Sequence, residues 1–192
     1  MAFISTFELL LKPQLPKELT DAKPELSPLA RKVIQGYFLT IANVTNELVS
    51  LSLVVTTRTP GLERDKIFTV LDTTGVNGPV SLHTAGVDGP TTSVFGGKGE
   101  IQKSRFTFPV NANDTGLFIL QPDARNEQLV KEANFELRGY VEIYISSVST
   151  PKTAQLLITA EHRGTFFGAE KAELGEIAYA LPLANGKALF DL

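Results

Sequence analysis

Residues 48–59, LVSLSLVVTTRT, set Val49, Leu51, Leu53 and Val55 against Ser50, Ser52, Val54 and Thr56. A period of two sends the two sets to opposite faces of a strand, one buried and one wetter. The β-branched content suits a pleated surface. Similar runs return along the chain at 67–72, 116–121, 154–162 and 175–183. At 104–110, SRFTFPV puts Phe106, Phe108 and Val110 on one side. At 135–146, FELRGYVEIYIS puts Phe135, Leu137, Val141, Ile143 and Ile145 in phase. Residues 33–44, VIQGYFLTIANV, are apolar on both faces, and Thr45-Asn46-Glu47 reads as the turn of a hairpin joining them to 48–59.

Strands at this spacing, punctuated by Gly, Pro and Asn, predict an all-β fold: an antiparallel immunoglobulin-like β-sandwich. One short helix is predicted at 123–134, DARNEQLVKEAN, capped by Asp123 and supported by Glu127 and Lys131 at i,i+4. Prolines at 13, 16, 24 and 28 break up the early chain, and Ser27-Pro28 opens a short helical turn through Lys32. Residues 1–32 therefore read as an N-terminal arm with that turn. Residues 33–192 read as the sandwich domain, with a Gly-rich excursion at 75–99.

Within the excursion, Gly75-Val76-Asn77-Gly78-Pro79 returns as Gly86-Val87-Asp88-Gly89-Pro90. Asn-Gly and Asp-Gly are tight-turn dipeptides, and the following Pro suits a strand start, so two turns flanking a short strand at 80–85 are predicted. Two copies are too few for a solenoid. Calcium needs more acidic oxygen ligands than Asn77 and Asp88 provide. Gly96-Gly97-Lys98-Gly99 lacks the spacing, the Ser or Thr and the following helix of a phosphate loop. A turn-rich excursion can still bind, and Asn77, His83, Asp88 and Lys98 form its candidate interaction loop.

Chemistry is sparse. Cysteine is absent from the 192 residues, which removes disulfides, thiolate metal sites and cysteine nucleophiles and leans towards a reducing compartment. Neither a Gly-x-Ser-x-Gly elbow nor a His-Glu-x-x-His helix occurs. His83 lies in the loop strand, and His162, between Glu161 and Arg163, reads as a strand-end histidine facing water or a partner. No catalytic, metal or cofactor site is predicted, so the chain reads as non-enzymatic. The net charge of −3, without a Lys/Arg block, argues against nucleic acid and anionic membranes. No run reaches the roughly 18 apolar residues that span a bilayer, and no basic leader opens the chain, so a cytoplasmic location is predicted.

Two further features bear on binding. Tyr140 and Tyr144 share the strand face opposite Val141 and Ile143, and with Arg138 and Glu142 they form a candidate polar strip, or else cover a second buried face. Large apolar residues crowd both ends: Phe3, Ile4, Phe7, Leu9, Leu10 and Leu11, then Leu181, Leu183, Leu189, Phe190 and Leu192. Such ends are expected to dock within the chain or across an interface. The leading expectation is protein binding or self-assembly, with a protein partner or a homo-oligomer. The alternative is a small-molecule-binding or signalling adaptor module that uses residues 75–99. In strand order and texture, RFTFPVNANDTGLFIL followed by GYVEIYISS resembles the small bacterial sandwich proteins that act as sensory-rhodopsin transducers. That resemblance implies a sandwich and assigns no residue a role.

Overall fold

The computed structural model describes residues 1–57, 66–73, 75, 91–95, 101–168 and 175–192, with backbone alone at 17, 27–29, 91–95 and 102. Its strands are β1 (Ala2–Pro13), β2 (Lys32–Asn43), β3 (Val49–Thr57), β4 (Ile67–Asp72), β5 (Thr91–Phe95) and β6 (Gln102–Val110). They continue with β7 (Thr115–Pro122), β8 (Phe135–Ile145), β9 (Gln155–Phe167), β10 (Gly175–Ala180) and β11 (Leu189–Asp191). Two short helices, α1 (Lys17–Ala22) and α2 (Glu127–Glu132), and a 3-10 turn at Pro24–Leu29 complete the described elements. The fold is all-β, and no helix among the described residues is long and apolar enough to cross a membrane.

All strand pairs are antiparallel, and they form one curled sheet in the order β10-β9-β2-β1-β8-β3-β6-β5. The sheet divides along β2. One edge of that strand pairs with β1 from Leu10↔Gln35 to Pro13↔Lys32, then with β7 from Tyr37↔Leu120 to Ala42↔Thr115. One branch continues through β1 to β8, β3, β6 and β5; the other runs from β7 to β4. The branches face each other across a shared core. Phe106 on β6 and Phe118 on β7 meet there with ring centroids 5.0 Å apart. Leu51, Leu53, Val141 and Ile143 are fully buried in it, as the alternation of their strands requires.

Residues 2–13, expected to form an arm, are an interior strand instead. β1 is paired with β8 along its length and with β2 at its end. Ile4, Phe7, Leu9 and Leu11 are buried in the chain's own core. An irregularity between Phe3 and Ser5 shifts the register, which lets Ile4 share the buried side with the odd-numbered residues that follow. The C-terminal residues also dock at home: β11 pairs with β9, Phe190 is buried, and Leu181, Leu183 and Leu192 pack against the core.

The hairpin expected between 33–44 and 48–59 does not form. β2 lies between β9 and the β1/β7 edge, whereas β3 lies between β6 and β8. The buried Asn43 side chain explains the difference. Its Nδ2 donates to the carbonyls of Glu47, Val110 and Asn111 at 2.8, 3.2 and 2.9 Å, and its Oδ1 accepts from the Thr45 amide. This ties the β2–β3 corner to the β6–β7 corner, where Asn113 takes a positive φ of 54° and donates its N–H to Thr45 O. Both connections carry the chain from one branch to the other. The helix is shorter than predicted, because Asn126 rather than Asp123 accepts from the Leu129 amide. Asp123 binds Arg125 instead, which holds its carboxyl below the usual range.

Candidate functional site

The three strands β8, β3 and β6 carry a groove on the face turned away from the core. Register places Tyr144 beside Ser52 and Ser52 beside Thr107, and it forms a second row from Glu142, Val54 and Arg105. Directly opposed residues share a face, so these side chains line one surface. The groove measures about 1010 Å³, and Met1 and residues 145–148 complete its walls.

Within it, the Arg105 guanidinium lies over the Tyr144 ring, 5.5 Å from its centroid. Lys103 Nζ stands 3.6 Å from Glu142 Oε2, which also accepts from Thr56 Oγ1 at 3.4 Å. Glu142 is buried, and these two groups are its polar contacts. Ser52 Oγ and Thr107 Oγ1 bond each other at 3.0 Å. The Tyr144 hydroxyl is buried and has no hydrogen-bond partner. A buried phenol lacking a partner is costly.

The polar strip read from residues 135–146 therefore divides. Glu142 and Tyr144 enter the groove, whereas Arg138 and Tyr140 belong to a neighbouring patch on β1 and β8. Arg138 pairs with Glu8 and Glu136, each at 2.6 Å, and Lys12 also bonds Glu136. The Lys12 hydrogen bond is the main cause that holds the Glu136 carboxyl below its ordinary range. Tyr140 packs against Phe3 at 5.8 Å. That patch neutralises itself; among the described residues the groove is lined by Lys103, Arg105 and Glu142.

Lys103 and Arg105 were missed in the sequence because they occupy the phase of β6 opposite its core residues Phe106, Phe108 and Val110. The signal was present: Lys103, Arg105 and Thr107 alternate with Ser104, Phe106 and Phe108. The candidate loop residues Asn77, His83, Asp88 and Lys98 lie outside the described residues. Of the 75–99 excursion, Gly75 has a positive φ of 79°, and Thr91–Phe95 is a strand, β5, rather than part of a turn-rich loop. β5 pairs with β6 through Ser93↔Arg105 and Phe95↔Lys103, so the excursion rejoins the sheet beside the groove.

His162 does not face water. It is 5% exposed and shares the inward phase of Leu156, Ile158 and Ala160. Its Nε2 accepts from the Glu8 backbone amide at 3.0 Å, and its Nδ1 lies 2.9 Å from the Tyr179 hydroxyl. Burial pushes its pKa down, partly opposed by the Glu8 charge. Among the described residues no group of three or more His, Asp or Glu could hold a metal ion.

No protein family matches the chain, and no curated protein matches it in sequence. Among solved structures it is similar to the viral chemokine binding protein R17 encoded by rodent gammaherpesvirus Peru. The identity is 9% and the TM-score 0.26, over 92% of this chain and 63% of that one. A likeness at that score carries no argument. The groove has to be read from its own residues.

Proposed function

We propose that the chain is a non-enzymatic binding protein that receives an extended segment of a protein partner in the β8–β3–β6 groove. The observation that carries this reading is the Tyr144 hydroxyl, buried without a partner in a groove lined also by Lys103, Arg105, Ser52 and Thr107. A groove with apolar walls at Val54, Ile145 and Val148 and scattered polar groups suits a peptide better than a compact ligand. The immunoglobulin-like form of the sandwich belongs to this proposal. The Phe106–Phe118 contact between two layers supports it, and continuous hydrogen bonding through β1 sets it apart from two separate sheets.

A small-molecule adaptor is the second reading, favoured by the return of the excursion along β5 beside Lys103 and Arg105. Self-assembly loses the termini as its contact and rests instead on the edge strand β10, where Ile177 and Tyr179 are exposed.

Selection of linear peptides from a random display library against the full chain tests the main reading. Selected peptides should perturb the amides of Ser52, Val54 and Tyr144, and should bind Val54→Lys and Lys103→Glu at least about tenfold more weakly. Peptides that map elsewhere, or that keep their affinity for both variants, would overturn it.

A further inference from the structure

The strongest polar cluster outside the groove lies where the sheet divides. β1 and β2 are paired as far as Leu10↔Gln35, after which β2 turns to β7. Continuation of the ladder would have bonded the Glu8 backbone to β2. Side chains take its place. Glu8 N–H donates to His162 Nε2 at 3.0 Å, and Gln35 Nε2 donates to Glu8 O at 3.2 Å.

The amide of Glu8 is a donor in every state, so His162 Nε2 must be the acceptor. In the neutral ring the proton therefore sits on Nδ1, which donates to the Tyr179 hydroxyl at 2.9 Å. Tyr179 in turn donates to Gln35 Oε1 at 3.4 Å, which closes the circle. Gln35 Nε2 also lies 3.4 Å from Nδ1, where donor faces donor in this tautomer, and adds no bond. The circle joins four strands: β1, β2, β9 and β10.

The other groups around His162 do not favour a second proton. Tyr37 on β2 presents its ring at 6.4 Å, and its phenol, pushed up by burial, bonds Ser5 Oγ and stays neutral. Tyr179 on β10 contributes its hydroxyl. On His162's own strand, Glu161 and Arg163 pair with each other at 2.8 Å, in the opposite phase. The Glu8 carboxylate attracts a proton towards the ring but is held by Arg138.

We propose that this circle is a proton-released latch: neutral His162 holds β1 to β9 beside the point where β1 and β2 part, and an imidazolium opens that seam. A protonated ring has N–H at both nitrogens, and one would point at the Glu8 N–H. The Glu8 amide then loses its acceptor, whereas Nδ1 keeps its proton and its bond to Tyr179 on β10. This inference is independent of the groove reading.

Amide hydrogen exchange on the full chain at pH 7.5 and 5.0, corrected for intrinsic rates, tests the latch. On acidification the Glu8 amide should lose about tenfold in protection relative to Leu53, Ile143 and the β10 amides, the order expected for one hydrogen bond. His162→Gln, which can accept from Glu8 and donate to Tyr179 without titrating, should abolish the pH effect. Unchanged protection in the wild type, or the same loss in His162→Gln, would overturn the proposal. Should that variant not fold, ¹⁵N shifts of the His162 ring in a His83→Gln background decide: the Nδ1–H tautomer at pH 7.5 supports the latch, and the Nε2–H tautomer refutes it.

Discussion

Phe106 and Phe118 stand in different branches of the sheet, yet their rings meet at 5.0 Å with an interplanar angle of 61°. That edge contact lies in the middle of a fully buried layer and links the branch through β3 to the branch through β2. Phe106→Ala or Phe118→Ala should each cost about 3–5 kcal/mol, from lost transfer energy plus a cavity. The double variant should fall short of the sum by about 0.5–1.5 kcal/mol, the worth of an aromatic pair beyond its area. Urea denaturation of the four proteins measures the cycle. Strict additivity would mean that the rings do not interact.

Phe7 lies over Gly139, its cross-strand partner on β8. A Cβ at that glycine would overlap the Thr56 carbonyl oxygen and stand 2.8 Å from the Phe7 ring. Backbone cannot yield there as a flexible side chain can. Gly139→Ala should therefore cost about 1–3 kcal/mol or more despite adding one methyl group. Thermal melting provides the comparison, with Gly186→Ala as a contrast: that glycine has open space but a φ of 67°, so its cost comes from backbone strain alone.

These contacts mark the limit of what the sequence discloses. Burial of Leu53, Val141 and Phe106 follows from local alternation, and the structure obeys it. Pairing does not follow, because Thr45-Asn46-Glu47 fits a hairpin turn as well as a corner between branches. The choice is made by Asn43, whose carbonyl partners Val110 and Asn111 lie 67 and 68 positions away. β1 was hidden by its own run, Leu9-Leu10-Leu11, and by the irregularity near Ser5, which together blur the period of two. The inward phase of His162 was legible from Leu156, Ile158 and Ala160. Its partner Glu8, 154 positions away, was not. Half of the polar strip entered the groove because β3 and β6 supply the remaining walls, and register between distant strands is a property of the whole sheet.

Acid should destabilise the protein in two separate windows. His162 has a folded pKa below its ordinary 6.5, so the unfolded chain takes up a proton first. Its contribution is complete above about 6.5 and is lost as pH falls from there through the folded value. Glu136 and Asp123 are also depressed, from 4.5 and 3.8, by Lys12 and Arg125 respectively. Their contributions hold above those values and fade only at lower pH. Urea midpoints from pH 8 to 3 should show both declines in the wild type. His162→Gln should keep the lower one and lose the upper. A single decline confined below pH 5 would show that His162 titrates alike in both states.

Removal of residues 1–13 should abolish folding rather than trim an arm. β1 is paired on both edges, and its loss would strip β8 and the end of β2 of a neighbour. It would also empty the core of Ile4, Phe7, Leu9 and Leu11. At roughly 1.5–3 kcal/mol for each large side chain buried, their sum is comparable with the whole stability of a domain, about 5–15 kcal/mol. Removal of residues 189–192 is milder, since β11 pairs only with the outer edge of β9 and Phe190 is its one buried residue. Circular dichroism and amide NMR dispersion should thus show an unfolded chain for the first truncation and a folded, less stable one for the second. A cooperative melt from the chain lacking residues 1–13 would mean that β8 and β2 close on each other without β1, and that the centre of the sheet lies elsewhere.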